Sequence, residues 1–103
     1  MNKQTLKHIV FIKVLEEDTA IKDQNLSELK NRLETLPQFI EDIQHLEVGI
    51  NFSTRQSAFD LSLYVHLADE DALNRYRVHP EHIKVLDFMK SLNLQTAVVD
   101  YYM

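Results

Sequence analysis

The side chains best suited to moving protons near neutral pH in this 103-residue chain are its five histidines, His8, His45, His66, His79 and His82. Two of them fall in one block, Tyr76-Arg77-Val78-His79-Pro80-Glu81-His82. Pro80 forces His79 out of helical geometry and opens a new helix, so a helix end, a fixed corner and a helix start gather three protonatable groups. Unperturbed imidazole titrates near pH ~6.5, which suits His79 or His82 to general-base work, with a tyrosine hydroxyl donating to a carbonyl. The plainer reading is that HPEH caps and packs a helix start. A metal site has less support: His79 and His82 lack an evident third ligand, Glu81 and Asp100 being the remaining candidates, and no metal or organic cofactor is expected.

Composition removes other chemistries. One glycine, Gly49, and no cysteine exclude glycine-rich phosphate loops, thiol nucleophiles, disulfides and cysteine-ligated zinc. Sixteen acidic against eleven basic residues give a net charge of −5, with Lys and Arg scattered, which argues against nucleic-acid and membrane surfaces. The apolar runs are too short to span a bilayer, and the N-terminal MNKQTLKH lacks the apolar segment of a signal peptide. A single cytoplasmic domain over residues 1–103 is expected.

Alternation and helical spacing supply the elements that must position the histidines. His8 to Val14 reads as a strand that is apolar on both faces, His8 sharing one face with Val10 and Ile12. A lone histidine there is commonly structural. Thr19 to Leu36 reads as an amphipathic helix carrying Ile21, Leu26, Leu29, Leu33 and Leu36, stopped by Pro37. Two strands follow, Ile43–Phe52 and Phe59–Leu67, joined by the polar STRQS turn. Asp69 caps a short helix through Ala72, Leu73 and Tyr76, and a second helix from Pro80 carries Ile83, Leu86, Met89 and Leu92. Leu94 to Tyr101 closes the chain as another strand that is apolar on both faces, and Asp100, Tyr101 and Tyr102 are expected to finish the sheet and its contact with a second copy.

The order β-α-β-β-α-β is the split pattern of a ferredoxin-like α+β domain, with helices on one side of a four-stranded antiparallel sheet. Apolar residues on both faces of the first and last strands predict that something covers the second face. A homodimer in which two sheets close a barrel is the simplest cover, with a total interface on the order of 1,600 Å². The polar set Asp60, Ser62, Tyr64, His66, His45, Glu47 and Asn51 then lines or rims the space between sheets; the alternative is a solvated sheet face on a monomer. Gly49 lies on that face, where a missing side chain marks a bulge or a close approach.

Several of these segments, HIVFIKV from His8, LEVGIN at Leu46–Asn51, FDLSLYVHL, DEDALNRYRVHPEH and the closing AVVDYY, together resemble the stress-responsive dimeric α/β-barrel (Dabb) family over nearly the whole chain. The resemblance implies a homodimeric barrel. Members range from stress-induced proteins without assigned chemistry to polyketide cyclases that work without metal or organic cofactor. In cyclase-like members the residue matching His82 is the base, that matching Tyr76 positions it and the substrate carbonyl, and that matching His8 lies nearby. The resemblance therefore implies His82, Tyr76 and His8 as catalytic candidates, and His79, Tyr64, His66 and Asn51 are expected to contact a small apolar or keto-containing ligand. The competing readings are a non-catalytic stress or structural dimer and, matched less well by YRVHPEH, the related barrel monooxygenases and haem-degrading proteins.

Overall fold

The computed structural model describes residues 4–103, so the readings of MNKQTLKH and of a domain beginning at residue 1 extend in part to residues 1–3, outside the described chain. Strand β1 (Leu6–Val14) is followed by helix α1 (Thr19–Thr35), a single 3-10 turn at Leu36–Gln38, strands β2 (His45–Ile50) and β3 (Leu61–Leu67), helices α2 (Glu70–Val78) and α3 (Pro80–Lys90), and strand β4 (Leu94–Tyr102). The four strands form one antiparallel sheet in the order β2-β3-β1-β4.

Helix boundaries follow local chemistry. The Asp18 side chain accepts from the Ile21 amide at 3.1 Å and Asp69 accepts from the Ala72 amide at 2.9 Å, satisfying amides left orphaned at helix starts. Pro37 ends α1 in a 3-10 turn. Leu26, Leu29, Leu33 and Leu36 are buried against the sheet, whereas Ile21 is 45% exposed and stands off that stripe. Each fully buried leucine contributes about 1.5–3 kcal/mol of hydrophobic free energy, enough to fix which side of α1 meets the sheet.

Pleating sends Leu6, His8, Ile12 and Val14 of β1, with Leu61, Leu63, Val65 and Leu67 of β3, into the helix-covered core. The opposite, outer face carries Ile9, Phe11, Ser62, Tyr64, His66, Ala97, Val99 and Tyr101, which the helices of this chain leave uncovered. Two expectations are corrected there. Gly49 pairs with Ser62 in unbroken register and a Cβ built on it would meet no heavy atom within 4 Å, so within the chain this glycine marks neither a bulge nor a close approach. Asp60 precedes β3 and escapes its alternation: its carboxylate accepts from the Val14 amide at 2.8 Å and pairs with Lys22 at 3.2 Å, tying β1 to α1 rather than lining the outer face.

Candidate functional site

Three of the sequence candidates meet on the helix-facing side of the sheet. Tyr76, at the end of α2, is fully buried; its ring centroid lies 5.9 Å from that of His8 on β1 and 4.3 Å from that of His82 in the first turn of α3. The Pro80 corner makes this possible. His79 adopts extended backbone (φ −62°, ψ 134°), so α3 leaves in a new direction and returns His82 over Tyr76. His79 itself serves the corner: its Nδ1 accepts from the Glu81 amide at 3.1 Å, capping α3. It is not among the residues that line the cavity beside His82.

Hydrogen bonds determine both imidazole tautomers. The Arg77 carbonyl, which can only accept, lies 3.1 Å from His82 Nδ1, so Nδ1 carries the proton and Nε2 holds the basic lone pair. His8 Nδ1 lies 2.5 Å from Asp100 Oδ1, the residue directly opposite it in the β1–β4 register, so His8 donates to that carboxylate. Arg77 completes the group, its guanidinium 3.8 Å from the other Asp100 oxygen. Burial holds the His82 imidazole below its ordinary pKa; the Arg77 carbonyl opposes this, and positive charge at His8, Arg77 and His79 reinforces it. Burial also pushes the Tyr76 hydroxyl upward, and that hydroxyl is covered and has no hydrogen-bond partner among the described residues.

A cavity of about 340 Å³ opens beside these groups. Its walls are mainly apolar, with Val10, Ile12 and Leu63 from the sheet, Leu33 from α1, and Val85, Leu86 and Met89 from α3. Thr96 and Val98 of β4 close one side, and His8, His82 and Arg77 supply the polar groups. Few polar groups converging on an apolar hollow is the usual form of a small-molecule site. Tyr76 is not part of this lining. A larger hollow of about 530 Å³, walled by Phe11, Asn51, Phe52 and Phe59 among others, has no ionisable side chain in its lining and so offers no acid or base.

The remaining candidates stand elsewhere. Tyr64 and His66 are on the outer face, where the His66 ring lies 4.8 Å from Tyr64 and 5.0 Å from His45. His66 is held below its ordinary pKa by burial first, then by Lys7 and His45. Asn51 follows β2 and closes a local turn, accepting from the Ser53 amide at 2.9 Å. Asp100 corrects the expectation that it only finishes the sheet, since it faces the helices and holds His8. Tyr102 likewise turns inward, its hydroxyl accepting from the Glu70 amide at 3.1 Å. Arg77 is the site residue that sequence reasoning did not assign, and Asp100 was named there only as a candidate metal ligand and as part of the sheet end. The available signal was a carboxylate in an apolar terminal strand and a cation inside the histidine block.

The fold and site define a ferredoxin-like α+β domain with a histidine-lined cavity between helices and sheet. The chain belongs to the Dabb family, the stress responsive A/B barrel domain, which it matches over residues 6–103. A dimeric ferredoxin-like protein of unknown function from Bacteroides fragilis is similar at 29% identity over 96% of both chains, with a TM-score of 0.87. A Dabb family protein from Mesorhizobium loti is similar at 19% identity over 95% of each chain, TM-score 0.69. A hydroxynitrile lyase from Passiflora edulis shares the fold at 11% identity, 99% of this chain and 95% of that chain, TM-score 0.81. No curated protein matches the sequence. Among the described residues no helix is long and apolar enough to cross a membrane.

Proposed function

We propose that the helix-side cavity binds a small carbonyl compound and that His82 Nε2 removes a proton from the carbon beside the carbonyl, without a metal or organic cofactor. The observation carrying this reading is the Arg77 carbonyl on His82 Nδ1, which leaves Nε2 as the basic atom of a ring lining an apolar cavity. Its lowered pKa keeps the imidazole neutral, and so competent as a base, at pH 7. Tyr76 is a positioning residue, its ring packed between His8 and His82, and Asp100 orients His8. Arg77, half-exposed and in the lining, is the group available to stabilise an enolate oxygen as it forms.

The chain acts as a homodimer in this proposal, a second copy covering the outer face. Support comes from Phe11 (41% exposed) and Val99 (54%) on that face and from the dimeric relative at 29% identity. The acidic, cysteine-free composition fits a cytoplasmic protein.

The test is deuterium exchange at the α-carbons of 2-heptanone in D2O at pH 7.5, followed by NMR. Wild-type protein is expected to accelerate exchange and His82→Gln to abolish the acceleration; equal rates with the two proteins would remove His82 from the role. A non-catalytic reading is favoured by one observation, the use of His79 as a helix cap. It predicts no exchange and no ligand-dependent rise in melting temperature.

A further inference from the structure

Arg77 bears on which class of carbonyl compound the helix-side cavity takes. Two hollows meet at this residue. The apolar cavity of about 340 Å³ lies on one side, and a more polar hollow of about 380 Å³, lined by Glu70, Asn74, Asp100 and Tyr102 among others, lies on the other. Arg77 is the residue common to both linings. It is also the only residue of permanent charge in the apolar cavity's lining, which contains no carboxylate.

Its guanidinium is incompletely used. The nearest acid, Asp100, already accepts from His8 through Oδ1 and faces Arg77 only through Oδ2 at 3.8 Å, too long for a hydrogen bond. Among the described residues the Arg77 side chain has no hydrogen-bond acceptor within bonding distance. The guanidinium is half-exposed and keeps water on its outer side, and its unpaired donors on the inner side are free to turn to a ligand held in the cavity. A carboxylate matches the guanidinium fork, while a cation would be repelled. Glu70 and Asp100 oppose negative charge in the polar hollow, so the anionic head is favoured on the cavity side of Arg77, where the lining has no carboxylate, and as a single charge.

The geometry points to an amphiphilic monocarboxylate as the ligand class, its head group on Arg77 at the seam between the hollows and its apolar chain in the cavity against Val10, Leu33 and Met89. Arg77 is then the specificity-determining residue. This rests on the reading that the helix-side cavity is the ligand site, and not on His82 acting as a base. The permanent charge of Arg77, in the same lining as His82, makes that neighbourhood favourable to an anion.

Isothermal titration of the full chain at pH 8 with octanoate and with 1-octanol tests it. Octanoate is expected to bind about ten- to a hundred-fold tighter than octanol, the usual worth of a charge-assisted pair. Arg77→Gln brings the ratio close to one with octanol affinity retained, and Arg77→Lys gives an intermediate ratio. Equal affinities in the wild type, a ratio that survives Arg77→Gln, or no binding of either compound would overturn the proposal. His82→Gln serves as the separating arm: the octanoate preference persists in it even where ketone exchange is lost. Failure of exchange in the wild type with the preference intact removes the base and leaves the ligand class standing.

Discussion

Replacing Tyr76 by Phe removes one oxygen atom from a side chain with no exposed surface, and the structure assigns the consequence a sign. The hydroxyl is buried and has no partner among the described residues, so folding returns it no hydrogen bond from the protein. An uncompensated buried hydroxyl costs about 1–3 kcal/mol on protein mutational scales. Deleting it leaves a void of roughly 20 Å³, which at ~24 cal/mol per Å³ costs about 0.5 kcal/mol. The balance is a stabilisation of about 0.5–2.5 kcal/mol. For a domain near 100 residues, each kcal/mol raises the melting temperature by about 4–8 °C, so Tyr76→Phe should melt at least about 2 °C higher. Ring contacts with His8 and His82 remain, and the hydroxyl lies outside the cavity lining, so α-proton exchange should stay within about twofold of wild type. Urea unfolding at pH 8, run beside the exchange assay, measures both. Tyr76→Ala is the control for the ring and should lose about 3–5 kcal/mol. A Phe variant that loses more than about 1 kcal/mol together with its exchange activity would refute this reasoning, because the hydroxyl would then be bonded and acting on the reacting group.

Other perturbations address the rest of the molecule. In the folded chain the His82 pKa is lowered, so below the ordinary value of ~6.5 the unfolded chain binds protons that the folded chain refuses; stability from this group is full above pH ~6.5 and is lost as pH falls toward the folded value. Melting temperatures from pH 8 down to pH 5 should therefore decline, and His82→Gln should flatten part of the decline while the similarly lowered His66 keeps the rest; an unchanged slope would count against His82. Leu86→Ala, at a half-buried cavity wall, should widen the site and shift the preferred chain length upward in a series of alkanoates, at a stability cost below that of a fully buried leucine, ~2–5 kcal/mol. Val99→Lys places a charge on the exposed outer face and should raise the monomer fraction in sedimentation velocity without disturbing the ketone-exchange site on the other face; a dimer that persists unchanged would move the interface elsewhere.

Much of the fold was legible because each element carries its own local signal. Asp69 and Pro80 mark helix starts with defined chemistry, and Leu61, Leu63, Val65 and Leu67 alternate as strictly in burial as in sequence. Strand ends were less legible: β2 stops at Ile50 because Asn51 spends its side chain on a turn, and β1 starts at Leu6, two residues before the expected start at His8, because Leu6 pairs with both Leu67 and Tyr102. At Gly49 the unbroken pairing with Ser62 leaves no bulge. A glycine in a strand reports a close approach only if a neighbour arrives, and within this chain none does.

The site was only partly legible, because its residues are selected by sheet face and register rather than by spacing. Tyr64 and His66 belong to the same strand as Leu63 and Val65, yet pleating sends them to the outer face, away from His82. His8 and Asp100 stand 92 positions apart and meet only because β4 returns antiparallel beside β1 in a register that places them opposite each other. A one-residue slip in that pairing would turn Asp100 to the outer face and leave His8 without its acceptor. The β1–β4 register is therefore itself a part of the site. Apolar side chains on both faces of both strands, Val10 and Val98 inward with Ile9 and Val99 outward, give that slip little hydrophobic penalty of its own. The His8–Asp100 bond accordingly helps specify the pairing that creates it, which couples the integrity of the sheet edge to the tautomer and orientation of His8.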